Sequence, residues 1–145
     1  MSNTVVVLFV AILGGAAAVI QAQLNGIMDK GMGTLESVFI TYGVGGIVIA
    51  LIMLFMRGGN LSAFTTLPWY VVFAGICGLV IIGSISFTVP RIGLVAMITI
   101  LVATQFILGA LIDHFGLLGA EIRLMTLQKV AGIGILMLGV WLIIR

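Results

Sequence analysis

The chain has 145 residues, of which 63% are hydrophobic and 7% charged, with a mean hydropathy of +1.43 and a formal net charge of +2. A soluble domain carries roughly 25% charged residues, so this composition cannot cover a water-facing surface and an integral membrane protein is expected. The small net charge, with no basic cluster, argues against a nucleic-acid partner, and the single Cys77 leaves no disulfide framework within one chain.

A membrane span takes about 20 apolar residues, and five stretches qualify. The first covers about residues 4–24; it lacks a basic leader region and a small-residue cleavage site, so it reads as a retained helix. The second covers about 35–56, with Thr34 as its N-cap. The third covers about 68–88 and tolerates Pro68 in its first turn. The fourth covers about 92–112 and the fifth about 127–144, the latter capped by Thr126. Together they make one all-α transmembrane domain over residues 1–145. The connections are short. Asp29 and Lys30 fall in the first, and Pro90 and Arg91 mark a tight turn between the third and fourth helices. The connection before the last helix holds Asp113, His114, Glu121 and Arg123. No internal repeat is visible.

Loop cations set the orientation of a membrane protein. With five spans, Arg57, Arg123 and Lys129 fall on the side of the N-terminus, and Lys30, Arg91 and Arg145 on the other. Three against three predicts that neither insertion sense wins. Two opposite copies can then pair as an antiparallel dimer of ten helices, a symmetry suited to alternating access. Gly14, Ala18, Gln21 and Asn25 form a stripe at helical spacing on the first helix. Gly43, Gly46 and Ala50 form another on the second, and Gly132 and Gly139 a third on the fifth. Small residues let membrane helices approach closely, so these stripes predict helix contacts within or between chains.

There is no metal-ligand cluster, nucleotide-binding glycine loop or paired acid at mid-membrane, and neither an enzyme nor a cofactor is expected. Function then falls to polar groups at lipid depth. Gln105, past the middle of the fourth helix, is the deepest of them; an unpaired amide there costs several kcal/mol, so it needs a partner, water or cargo. It is the first candidate for substrate contact. Gln21 and Asn25, one turn apart, are candidates too, against the alternative of hydrogen-bonded glue between helices. Asn25 could instead cap or turn the chain. Tyr42 lies about two turns inside the second helix, deeper than an interfacial belt, and joins the candidates, whereas Trp69 and Trp141 read as interfacial anchors. The hydroxyls of Thr41, Ser84 and Thr88 are expected to bond the preceding turn of their own helices. Glu36 and Arg91 share a membrane side and are expected to pair, as a structural contact or a gate. Asp113 and His114 could relay a proton or stand as solvated loop groups.

Four pieces carry a family resemblance: Gln21-Ala22-Gln23-Leu24-Asn25, Val89-Pro90-Arg91-Ile92-Gly93, Gln105, and Asp113-His114-Phe115-Gly116-Leu117. In residues, order and spacing the chain resembles the five-helix YdcZ-type branch of the drug/metabolite transporter superfamily over nearly its whole length. The resemblance implies a multi-pass protein of the bacterial inner membrane that works as a pair of half-length chains. In size the chain is also similar to the four-helix multidrug exporters. It lacks their glutamate in the middle of the first helix, so proton coupling by that route is not implied. The expected function is export of small polar or amphipathic metabolites or drugs by an antiparallel pair, either two copies of this chain or this chain with an oppositely oriented paralogue. The rival readings are a small-solute or ion channel built by the same pair, and a non-transporting subunit of a larger membrane assembly.

Overall fold

Five long helices carry the computed structural model, which describes residues 2–56 and 59–145. They are α1 (Ser2–Met32), α2 (Thr34–Phe55), α3 (Phe73–Ile92), α4 (Leu94–Phe115) and α5 (Leu127–Ile144). Each is long and apolar enough to cross a bilayer, α3 together with the short turn before it, Trp69–Ile92. Large apolar side chains face outward along all five; Phe39 is 78% and Phe55 87% exposed, as lipid-facing residues are. Arg57, one of the six cations counted above, lies outside the described residues.

Two helix boundaries differ from expectation. The first helix does not end near Leu24 but runs on to Met32. At 1.5 Å per residue its 31 residues span roughly 46 Å, against a hydrocarbon core of about 30 Å. Asp29 and Lys30 looked like loop residues because charge is costly in lipid, yet they stay helical where α1 leaves the core. Gly33 then breaks the chain with φ 103° and ψ 165°, its N–H still bonded to the Asp29 carbonyl at 2.9 Å. Glycine alone adopts that backbone cheaply. Gly33 therefore holds the N-cap position expected of Thr34, and Thr34 is the first helical residue of α2.

The second difference lies at Pro90. Helix α3 does not turn there but continues to Ile92, and the break comes at Gly93, with φ 89° and ψ 158°. Proline removes one backbone donor, and that loss is tolerable so close to a helix end. Gly33 and Gly93 thus separate consecutive helices by one residue in nearly the same conformation.

The chain divides into two compact units, residues 1–91 and 92–145. In the first, α1 packs on α2. Gly26 lies against Val89 of α3, and Gly78 against the Tyr42 hydroxyl. Between α2 and α3, the segments Leu61–Thr66 and Trp69–Val72 form 3-10 turns. Thr65 and Thr66 donate to carbonyls three residues back, and Trp69 meets Tyr70 and Phe73 edge to face, a wet-rim aromatic group. In the second unit, α4 packs on α5. Gly116, in the left-handed region at φ 61°, ends α4, and Thr126 caps α5 by accepting from the Lys129 N–H at 3.3 Å, as expected.

The glycine stripes read from the sequence are open within the chain. Among the described residues of its own unit, a side chain at Gly14, Gly43, Gly46, Gly132 or Gly139 would meet nothing within 4 Å. The close approaches between helices fall instead on Gly26 and Gly78.

Candidate functional site

The first unit holds a buried polar cluster that ties three helices together. Asn25 of α1, Ser37 of α2 and Ser86 of α3 are all 0% exposed. The Asn25 Oδ1 accepts from Thr41 Oγ1 at 2.5 Å and from Ser37 Oγ at 3.3 Å. Ser37 Oγ also lies 3.3 Å from the Asn25 carbonyl oxygen and 3.0 Å from Ser86 Oγ. Membrane helices gain little from apolar contact with one another, so such bonds fix which faces meet. Asn25 neither caps nor turns α1, since the helix continues past it; it is held between helices. Thr41, expected to bond its own helix, bonds Asn25 instead. The satisfaction is incomplete: among the described residues the Asn25 Nδ2 has no partner.

Tyr42 is 39% exposed, with its hydroxyl against Gly78. Gln21, one turn before Asn25, is exposed and makes no hydrogen bond among the described residues. These two and Asn25 belong to the first unit, Gln105 to the second.

The expected Glu36–Arg91 pair does not form. Arg91 Nη1 instead sits 3.2 Å from the Asp29 Oδ2, and Asp29 also accepts from the Thr34 hydroxyl. The reason is the length of α1, which carries Asp29 to Arg91 while Glu36 folds back over Gly33. Arg91 further lies over the Phe87 ring, 3.6 Å from its centroid, and donates to the Phe87 carbonyl. Asp29 is nearly sealed at 7% side-chain exposure, whereas Arg91 keeps 49%. A buried carboxylate needs such partners.

The second unit contains a groove between α4 and α5 of about 760 Å³. Its polar lining is Gln105 and Asp113 from α4 and Lys129 from α5; Gly109 and Gly132 keep it open, and Phe106 is among its apolar wall. Gln105, Gly109 and Asp113 share one stripe because each step is four residues. Asp113 and His114 point apart, as successive helical residues must. The His114 Nδ1 accepts from the Met125 N–H at 3.2 Å, and the Asp113 carbonyl accepts from the Arg123 N–H at 2.8 Å. His114 therefore pins the connector onto the end of α4, and no hydrogen bond links it to the Asp113 carboxylate among the described residues. The histidine is thus bound to the connector, and the acid lines the groove.

Sequence reasoning missed Ser37, Ser86, Asp29 and Lys129. For Ser37 and Ser86 the available signal was chemical: a buried Asn25 needs donors. For Lys129 it was position, since a cation in the first turn of a helix opposes the helix dipole.

A five-helix membrane chain with a groove that holds an amide, an acid and a lysine fits a transporter family whose model matches residues 6–142, described as "Putative inner membrane exporter, YdcZ". The chain belongs to that family. It is accordingly a multi-pass inner-membrane protein, and the match takes in most of both units, including Asn25, Arg91, Gln105, Asp113 and Lys129. No curated protein and no solved structure matches the chain.

Proposed function

We propose that the chain is a secondary exporter of small polar or amphipathic metabolites or drugs, acting by alternating access as an antiparallel pair of identical copies. The observation that carries the reading is the stripe Gln105–Gly109–Asp113, which places an amide and a carboxylate in a largely apolar groove between two apolar helices. Polar groups at membrane depth face a partner, water or a solute path. Export places a solute there transiently. Membership of an inner-membrane exporter family supports the same class of function. The even sharing of Lys and Arg between the two sides, and the glycine stripes left open by the chain's own packing, support an inverted second copy. An antiparallel pair has a symmetry axis in the membrane plane, so its inward- and outward-open states are equal in energy unless a gradient biases them.

The test is orientation and flux together. Tags on both termini should be accessible from both faces of intact cells, and liposomes holding purified protein should show saturable solute flux that Gln105→Ala weakens without lowering folded yield. One orientation alone would remove the antiparallel pair of identical copies. Non-saturating electrical current would favour the channel instead.

A further inference from the structure

Asp113 and Lys129 line the same groove, and each stands against its own helix dipole. Asp113 lies in the last turn of α4, where a negative charge is disfavoured, and Lys129 in the first turn of α5, where a positive one is. Neither takes part in an ion pair among the described residues, where the two that form are Arg91–Asp29 and Arg123–Glu121. Two charges that oppose their helices and do not neutralise each other are not explained by helix stability. A ligand that brings one charge of each sign would satisfy both.

We infer that this groove takes an amphipathic zwitterion, with its ammonium at Asp113 and its acid group at Lys129 beside the α5 N-terminus. The inference rests on the exporter reading and narrows its cargo. The body of the ligand runs along the glycine floor at Gly109 and Gly132, past the apolar face of Phe106. Gln105 stands eight residues from Asp113, about 12 Å along the helix axis, and can hydrogen-bond a polar group at the far end. A groove of about 760 Å³ accommodates a molecule of that length, within the range of about 300–1,000 Å³ usual for small-ligand sites. A free amino-acid-like amphiphile and an aminophospholipid headgroup share this chemistry.

The test uses full-length protein in nanodiscs of phosphatidylglycerol and three probes of equal chain length: α-aminodecanoic acid, decanoic acid and decylamine. The zwitterion should bind at least about tenfold more tightly than either single-charge probe, the equivalent of one well-placed charge contact. Asp113→Asn should abolish its advantage over decanoic acid, and Lys129→Gln its advantage over decylamine. Because both charges oppose their helix dipoles, the two variants should unfold at the same temperature as the parent or higher, which separates lost binding from lost fold. Repeating the measurement with phosphatidylethanolamine in the disc distinguishes the sources: competition assigns the groove to a lipid headgroup, no competition to a free solute. Equal binding of the three probes, or a zwitterion preference that survives both substitutions, overturns the assignment. So does loss of dimer in Asp113→Asn and Lys129→Gln without any zwitterion binding, since the charges would then serve a second copy. Tags found in both orientations with no zwitterion preference would sink this inference alone; a single orientation with the preference intact would sink the antiparallel exporter alone.

Discussion

Ser37 on α2 and Ser86 on α3 lie 3.0 Å apart, oxygen to oxygen, both wholly sealed from the outside. Through Ser37 this contact joins the bond to Asn25, so three helices meet at one hydroxyl. Ser37→Ala removes that junction and leaves the Ser86 hydroxyl unpaired. Interhelical hydrogen bonds in membranes average about 0.6 kcal/mol and reach about 1.7, so a loss near 1–2 kcal/mol is expected for two shared bonds. Reversible unfolding in mixed micelles measures it. The double variant with Ser86→Ala should cost less than the two single losses added, because the second removes a group already orphaned. Strict additivity would mean the two hydroxyls do not interact.

The Asp29–Arg91 contact should be lopsided. Removing Arg91 strands a carboxylate with 7% exposure, while removing Asp29 leaves a guanidinium that is 49% exposed and can turn to water. Arg91→Ala should therefore destabilise more than Asp29→Ala, by about 1 kcal/mol or more. The swap Asp29→Arg with Arg91→Asp should recover more folded protein than the swap Glu36→Arg with Arg91→Glu. Equal recovery would contradict the pairing.

Backbone substitutions offer a sharp contrast. Gly33→Ala and Gly93→Ala force alanine into φ near +90 to +103°, at a cost of about 1–3 kcal/mol each. Gly31→Ala sits inside α1 with open space around it and should be neutral or stabilising, since alanine is the better helix former. Thermal stability of the three variants side by side decides the matter.

Glycines also separate contacts within one chain from those between copies. At Gly26 a new Cβ would lie 2.6 Å from the Val89 Cγ1, and that stiff, buried side chain has little room to yield. Gly26→Ala should lower folded yield. Gly43→Leu, facing open space in the chain, should leave yield intact and reduce crosslinked dimer severalfold if that stripe meets a second copy. Unchanged dimer would place the contact elsewhere.

Much of this fold is legible in the sequence because lipid demands long apolar helices, and α5 runs from Leu127 to Ile144 as its hydropathy and the Thr126 cap predict. The misreadings have two causes. Asp29, Lys30 and Pro90 carry local signals for loop: partners overrule the signal at Asp29, held by Arg91 and Thr34, and a position near the helix end makes Pro90 tolerable. Gln105 was visible as a candidate because a lone amide in an apolar helix stands out. Ser37 and Ser86 were not, since a hydroxyl can satisfy itself on any helix and nothing in the local pattern separates one that does from one that bonds a neighbour. The pairing of Glu36 with Arg91 rests on shared membrane side alone, whereas the length of α1 decides which acid arrives.

The latch at Asn25 closes only halfway. Its oxygen is held by Thr41 and Ser37, while its nitrogen has nothing to hold among the described residues. Prising α1 from α2 therefore breaks two side-chain bonds at this carboxamide and frees a donor that any passing water can satisfy. A bolt satisfied on every side would cost more to draw; this one gives up two bonds and no third.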